Sequence, residues 1–119
     1  MTLRVPADAS YGVVVRSVVA AVAALDDPSI DELDDIRLAA QEGFVSLVAS
    51  FRGASSLEVD IVRGDGELSL EFRIEGTPGA ADLDGLSMSV LKSLASHLEA
   101  SDEADGRRLS VTLPLRGAR

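Results

Sequence analysis

Residues 57–75 read LEVDIVRGDGELSLEFRIE, and this stretch decides the fold. Leucine, valine, isoleucine or phenylalanine occupies every second position of 57–61 and again of 68–74. Such alternation is typical of strands with one buried face, and the intervening Gly64-Asp65-Gly66 predicts a hairpin. The stretch therefore predicts an antiparallel sheet that is covered on one side only.

The residues before the hairpin predict a helix over 29–51. Ser29 and Glu32 have the spacing of a capping box, and acidic residues fill the first turns, where the helix dipole favours negative charge. The expected apolar stripe consists of Leu33, Ile36, Ala40, Phe44, Leu47 and Phe51. Gly53 supplies a C-terminal stop.

Upstream, residues 3–5 predict a short strand that ends at Pro6, after which Asp8 or Ser10 caps a helix running to about Leu25. Its many valines also suit a strand, but about fifteen residues without a turn signal favour a helix. The expected apolar stripe consists of Tyr11, Val15, Val18, Val22 and Leu25.

Downstream of the hairpin, residues 76–82 are predicted to form a loop, residues 83–99 a third helix and residues 109–115 a last strand. The inward residues of the third helix are expected to be Leu83, Val90, Leu91, Leu94 and Leu98. The order β-α-α-β-β-α-β predicts an α/β (α+β) two-layer sandwich. Its mixed, largely antiparallel sheet has four to five strands and carries three helices on one face. Residues 1–119 form one domain.

Composition limits the possible functions. The chain has 119 residues, and 11 basic against 20 acidic side chains give a net charge of −9. Such a surface repels phosphate backbones and anionic lipid, which argues against a nucleic-acid binder or a membrane-surface protein. The absence of cysteine excludes disulfides and thiol chemistry, and the single His97, interpreted as a surface residue near a helix end, cannot build a multi-histidine metal site. Without an uninterrupted apolar run of about 20 residues, we expect a cytoplasmic protein.

Two places in the sequence could form a catalytic or ligand-binding site. Glu42 and Ser46 are four residues apart and share one face of the second helix. Glu42 lies among small and apolar residues, although a solvent-facing glutamate on an amphipathic helix is the simpler interpretation. The 76–82 loop follows a strand and precedes a helix, a position where glycine-rich loops cradle phosphates. An ordinary connection remains the favoured interpretation of that loop, because Pro78 lacks an amide hydrogen.

The stretch LDDIRLAAQEGFVS, residues 33–46, resembles the N-box helix of the RsbW/SpoIIAB-type anti-sigma factors. These are small serine kinases with the Bergerat (GHKL) ATPase fold. The resemblance covers almost the whole chain in the order and lengths of its elements. It implies that Glu42 is the glutamate that activates the reacting hydroxyl. Ser46 stands where the family has an asparagine that holds magnesium.

The family's other nucleotide boxes are matched only in part. Against Asp-x-Gly-x-Gly the chain has Glu75-Gly76-Thr77-Pro78-Gly79, so that Glu75 would replace the adenine-reading aspartate and Thr77 replaces a glycine. Against Gly-Leu-Gly-Leu it has Gly85-Leu86-Ser87-Met88, in which Ser87 replaces the second glycine. The boxes are separated by a short segment that leaves almost no ATP lid. The resemblance therefore implies a vestigial pocket in which Mg-ATP or ADP binds weakly or not at all.

Three functions follow from these residues. The first is an anti-sigma factor-like regulator that binds a sigma factor and/or a STAS anti-anti-sigma protein, possibly as a homodimer and without being an enzyme. The family's first helix carries an arginine that contacts partners, and Arg16 stands at a similar position, although a solvated charge is an equally good interpretation. The second is an active ATP-dependent serine kinase with Glu42 as general base and a STAS serine as phosphoryl acceptor. The third, a STAS-like antagonist, is disfavoured by the two consecutive helices before the hairpin.

Overall fold

The computed structural model describes residues 1–79 and 85–117. In these ranges it contains β1 (Thr2–Pro6), α1 (Gly12–Ala23), α2 (Ile30–Ser50), β2 (Phe51–Arg52), β3 (Ser56–Gly64), β4 (Glu67–Glu75), β5 (Thr77–Pro78), α3 (Gly85–Leu94), β6 (His97–Glu103) and β7 (Gly106–Pro114). Short 3-10 turns flank α1 at Ala9–Tyr11 and Ala24–Asp26. Except for the strand β6 and the short strands β2 and β5, these elements occur in the predicted order.

The main sheet has five strands in the order β1-β3-β4-β7-β6, and each neighbouring pair is antiparallel. The predicted hairpin is confirmed, with Leu57 opposite Ile74 and Gly64 opposite Glu67. The short strands β2 and β5 pair separately at one end of the molecule. The edges of the main sheet are β1 and β6, and most side chains of β6 are exposed.

The three described α-helices cover the apolar face of the sheet, and the core lies between the two layers. The largest fully buried side chains are Phe44, Phe72, Ile36, Leu47, Leu57, Leu68, Leu70, Leu91, Leu109 and Leu113. With only four aromatic residues in the chain, aliphatic side chains fill most of this space. The predicted two-layer α/β sandwich is therefore confirmed.

The opposite face of the sheet is polar, as the alternation in residues 57–75 predicts. Arg73 donates to Asp60 at 2.9 Å and to Glu58 at 3.3 Å, and Arg4 also pairs with Glu58. Arg108 lies 3.2 Å from Glu103 and 3.6 Å from Glu71. These ion pairs are partly exposed, so each stabilises the fold only slightly.

The helix α2 begins as predicted. The Ser29 hydroxyl accepts from the Glu32 amide at 3.1 Å, and the Glu32 carboxylate accepts from the Ser29 amide at 3.2 Å. The same carboxylate also accepts from the backbone amides of Arg116 at 2.8 Å and Gly117 at 3.1 Å. Chiefly because of the Arg116 amide, the pKa of Glu32 is held below its ordinary value. Glu32 thus both caps α2 and anchors the end of the last strand.

The predicted third helix over 83–99 was too long. The helix α3 ends at Leu94, and His97 begins an edge strand instead of belonging to the last turns of the helix, although it is exposed as predicted. Leu91 is buried as predicted and Val90, Leu94 and Leu98 are half-buried, whereas Leu83 and residues 80–82 of the predicted loop lie outside the described residues. Within that loop Thr77 and Pro78 form β5.

The predicted stripe of α1 was correct only in part: Val15 is buried and Val18 and Val22 pack half-buried against the core, but the two ends of the stripe are exposed. Val15, Val19 and Ala23 are fully buried, whereas Tyr11 is 38% exposed and Leu25 is 68% exposed. Almost every position of α1 is apolar, so hydrophobicity alone cannot identify the buried side. The stretch Ala9–Asp26 is long and apolar enough to cross a membrane by length and composition, a criterion that core helices also meet. The stretch contains Arg16 and Asp26, so it is not an uninterrupted apolar run of the kind that the sequence analysis considered.

Candidate functional site

Glu42 and Ser87 meet between α2 and α3. The Ser87 hydroxyl donates to Oε2 of Glu42 at 2.9 Å, and Ser87 is 7% exposed while Glu42 is half-buried. Glu42 projects from the middle of α2, and Ser87 lies in the first turn of α3. The structure therefore brings together two residues that the sequence assigned to different boxes. The carboxylate has a serine hydroxyl as its partner.

Ser46 lies one turn further along α2 and is 4% exposed. Its hydroxyl donates to the carbonyl oxygen of Gly43 at 3.1 Å, within its own helix. Because the hydroxyl hydrogen is engaged there, Ser46 can offer a ligand only its oxygen lone pairs. The resemblance expects an asparagine here, whose side-chain carbonyl oxygen would bind magnesium. The hydroxyl of Ser46 is shorter and is therefore a poorer magnesium ligand.

Gly43 explains how α2 approaches the sheet. A Cβ atom at this position would lie 2.9 Å from both Cε2 and Cζ of Phe72, a ring that is fully buried on β4. Real Cβ atoms do not come so close, so the helix needs a glycine here. Glu42 has apolar neighbours in the sequence because the next residue, Gly43, packs directly against the sheet.

The segment 75–79 is held to the end of α2 by its backbone. Thr77 pairs with Arg52, and the amide of Gly79 donates to the Ser50 carbonyl oxygen at 2.7 Å. A Cβ on Gly79 would lie 3.3 Å from that oxygen, and one on Gly76 would lie 2.8 Å from the carbonyl oxygen of Arg52. Both positions require a glycine because the backbone packs closely against another segment of the chain there.

Glu75 lies away from the Glu42–Ser87 pair. It follows Arg73 on the polar face of β4 and lines a groove with Arg73, Glu58 and Arg108, whereas α2 packs on the other face. In the described part of the chain no hydrogen bond or ion pair connects Glu75 with Glu42. Of the other predicted box residues, Gly85 is the first residue of α3, and a Cβ there would meet no atom of residues 1–79 or 85–117 within 4 Å.

Arg16 lies in an open groove of about 660 Å³ between α1 and α2. The groove is lined by Arg16, Ser17, Ala20, Ala21, Ala24, Leu33, Asp34, Arg37, Leu38 and Gln41. Arg16 is half-buried, and its guanidinium donates to Oε1 of Gln41 at 2.9 Å. Among the described residues this neutral amide is its polar partner, and no carboxylate lies within ion-pair distance of it.

The sequence reasoning did not identify the other residues of this groove. Gln41 fixes Arg16, and Leu38 is 43% exposed. Leu33, Arg37 and Gln41 recur every four residues, a spacing that places them on one face of α2. That spacing was available in the sequence, but only the packing of α1 shows that this face borders a groove.

No cluster of three or more metal-ligating side chains occurs among residues 1–79 and 85–117. The resemblance places a magnesium ion near Glu42 and Ser46. Glu42 already accepts a hydrogen bond from Ser87, and Ser46 donates one to its own helix. This set does not fit a resident magnesium ion, which prefers several oxygen ligands in octahedral geometry.

The chain matches no protein-family model and no curated protein. The relation to the anti-sigma factors is therefore a hypothesis that depends on the residues quoted above and on their positions.

Proposed function

We propose that this protein is an anti-sigma factor-like regulatory domain. It acts in the cytoplasm by binding a sigma factor and/or a STAS anti-anti-sigma protein. It binds Mg-ATP or Mg-ADP weakly or not at all. The proposal combines the resemblance in the sequence with the geometry around Arg16 and around Glu42.

The observation that carries the proposal is the environment of Arg16. A half-buried guanidinium beside apolar side chains is desolvated in part, and a neutral amide compensates its charge incompletely. Gln41 holds the group in place at 2.9 Å, so little side-chain entropy is lost when a partner binds. A carboxylate on a partner protein would complete this arrangement.

The overall charge supports the same proposal. A net charge of −9 steers a basic protein towards this domain, and the groove itself carries Arg16 together with Arg37, which lies 3.6 Å from Asp34. A partner with a basic surface and one well-placed carboxylate satisfies both features.

Weak nucleotide binding is supported by the contacts of the box residues. Ser46 and Gly79 make their hydrogen bonds to α2, and Glu42 accepts from Ser87. A nucleotide would have to displace some of these contacts, and in the described part of the chain no lysine or arginine forms an ion pair with Glu42.

Partner binding is tested by measuring affinity for the sigma factors and STAS proteins of the same organism, each purified. We expect one of them to bind, and Arg16→Ala to weaken its binding at least tenfold while the circular dichroism spectrum is unchanged. Arg116→Ala is the matched control, because it removes the same charge from an exposed side chain outside the groove. No binding by any candidate would refute the proposal, and equal affinity of the Arg16 variant would remove Arg16 from it.

Nucleotide binding is tested by calorimetric titration with Mg-ATP and Mg-ADP. We expect no heat of binding below millimolar concentrations. Binding in the micromolar range would overturn the vestigial-pocket part of the proposal and leave partner binding to be judged on its own assay.

One observation favours the serine kinase as a second candidate. Glu42 accepts a hydrogen bond from a serine hydroxyl, which is the contact that a general base makes with a reacting serine. If the protein is a kinase, it transfers labelled phosphate from Mg-ATP to a STAS serine, and Glu42→Gln abolishes the transfer. Absence of transfer by the unaltered protein removes this candidate.

A further inference from the structure

The strand β6 forms an edge of the main sheet, and no strand among the described residues pairs with its outer side. Its inner side pairs with β7, which in turn pairs with β4. Between β4 and β7, the amide of Gly76 donates to the Asp105 carbonyl oxygen at 2.7 Å, and the amide of Leu115 donates to the Gly66 carbonyl oxygen at 2.9 Å. Backbone hydrogen bonds alternate sides along an antiparallel strand, so the odd-numbered residues of β7 bond to β4 and the even-numbered ones bond to β6.

The same alternation shows which residues of β6 direct their backbone outwards. The even-numbered residues of β7 from 106 to 112 lie opposite the odd-numbered residues of β6 from 103 to 97. These residues of β6 bond to β7, so Leu98, Ala100 and Asp102 direct their amide and carbonyl groups away from the sheet. Each of the three offers one donor and one acceptor to an extended segment that lies along the edge.

The two edges of the sheet differ in how they are protected. The strand β1 has five residues, carries Arg4 and ends at Pro6, and short strands, charges and prolines are ordinary means of blocking an edge. The strand β6 has seven residues and contains no proline, glycine, lysine or arginine. Its only charged side chains at neutral pH are carboxylates, which repel an acidic strand but attract a basic one.

The side chains of β6 specify what a pairing segment must present. Glu99 and Glu103 lie on the polar face of the sheet, and the side chain of Glu99 is 69% exposed. On the opposite face Leu98 is half-buried against the core, whereas Ala100 is exposed. Side chains on the same face of neighbouring strands contact each other, so an added strand needs basic residues at alternate positions and apolar residues between them.

We infer that the outer edge of β6 binds an extended segment of a partner protein in which basic and apolar residues alternate. In this mode of recognition, main-chain hydrogen bonds supply affinity and alternate side chains supply specificity. The surface is separate from the groove around Arg16, because that groove lies between α1 and α2, whereas β6 packs against β7 and α3. The inference therefore does not depend on the regulator proposal.

The test is calorimetric titration of the purified chain with the end-blocked peptide Lys-Val-Lys-Val-Lys-Val-Lys. The control peptide Lys-Lys-Val-Val-Val-Lys-Lys has the same composition and charge but does not alternate. We expect the alternating peptide to bind about tenfold more tightly than the control and less tightly in 0.5 M NaCl, which screens the charges. We also expect bound peptide to slow hydrogen exchange of the Leu98, Ala100 and Asp102 amides.

Two pairs of variants locate the binding at this edge. Ala100→Pro removes an outward amide but no hydrogen bond to β7, so binding should weaken about tenfold with an unchanged circular dichroism spectrum. Ala100→Val keeps the amide and should bind normally. Glu99→Lys combined with Glu103→Lys should exchange the preference for the basic peptide for one for Glu-Val-Glu-Val-Glu-Val-Glu. A chain carrying Asp35→Lys and Glu67→Lys has the same net charge and should still prefer the basic peptide, because both changes lie on exposed side chains outside β6.

Equal affinity for the alternating and control peptides would overturn the inference, because it would reduce the binding to general charge attraction. Slowed exchange along β1 instead of β6 would overturn it as well, and so would an unchanged preference in the Glu99 and Glu103 double variant. That double variant keeps the test valid if Ala100→Pro fails to fold. Sedimentation of the chain without peptide is measured in parallel, and a dimer that Ala100→Val preserves and Ala100→Pro abolishes would assign the edge to a second copy and overturn the inference.

Discussion

Replacing Gly43 by alanine tests the packing that surrounds the candidate site. In the middle of an exposed helix, the change from glycine to alanine stabilises a protein by about 1 kcal/mol. At Gly43 the new Cβ would lie 2.9 Å from two ring carbons of Phe72, whereas carbon atoms in favourable contact are about 3.5–4.0 Å apart. The alanine therefore pushes into a ring that is fully buried in the core.

The two effects oppose each other. Inserting a methyl group into a close-packed core costs about 1–3 kcal/mol, so subtracting the gain in helix propensity leaves a net loss of about 0–2 kcal/mol. We expect Gly43→Ala to destabilise the fold by about 1 kcal/mol, opposite in sign to the usual effect of this substitution. The free energy of unfolding is measured by urea denaturation at neutral pH, with a linear extrapolation to water.

Gly85→Ala is the matched control. Gly85 is exposed at the start of α3, and among the described residues a Cβ there has no neighbour within 4 Å, so this variant should be as stable as the parent or more stable. In a Phe72→Leu background the shorter side chain makes room, and Gly43→Ala should then cost at least 1 kcal/mol less than in the parent. A Gly43→Ala protein that is more stable than the parent, or an equal cost in both backgrounds, would refute the reasoning.

Two further predictions concern hydrogen bonds at the ends of α2 and α3. Glu32→Ala removes the carboxylate from the capping box and from the Arg116 and Gly117 amides, and should destabilise the fold by about 1 kcal/mol at pH 7. Because the pKa of Glu32 is lowered by folding, its contribution is present above the ordinary glutamate pKa of about 4.3 and is lost as the pH falls below that value. The stability difference from the parent, followed by urea denaturation between pH 7 and pH 3, should shrink with acidification, and a constant difference would contradict this role. Ser87→Ala removes the hydroxyl that binds Glu42 and should cost about 1 kcal/mol. In a double-mutant cycle with Glu42→Ala, which removes the acceptor, strict additivity of the two losses would show that the hydrogen bond contributes nothing to stability.

The sheet and α2 could be predicted because each has a periodic pattern with a defined direction. Residues 57–61 and 68–74 alternate strictly, which determines both the strand and its buried face, and Ser29 and Glu32 define the start of α2. These features depend on neighbouring residues, and local patterns report them directly.

The predictions of the buried side of α1 and of the end of the third helix were wrong in part because the local sequence pattern is ambiguous there. Almost every residue of α1 is apolar, so the buried side of the helix is decided by contact with α2 and β3, which the sequence does not encode locally. The strand β6 has only Leu98 and Ala100 as apolar residues, and its pairing with β7 is non-local. The helix α3 precedes β6 in the chain, and the prediction extended the apolar pattern of this helix past its observed end at Leu94.

The candidate site was predicted in part. The sequence grouped Glu42 with Ser87 only through a resemblance, and the structure places their side chains in contact. Glu75 was grouped with them as well, yet strand alternation places it on the polar face with Arg73. The groove around Arg16 could not be predicted, because it is formed by two helices whose relative position depends on the whole core.

The edge strand β6 has a consequence for the solubility of the protein. An open strand edge can accept a strand from another molecule, and repeated addition leads to fibres. Here Glu99, Asp102 and Glu103 line the edge, and a second copy of β6 would place carboxylates of the two molecules about 5 Å apart. At neutral pH this repulsion opposes the addition of further copies at this edge, so fibre formation by way of β6 is suppressed.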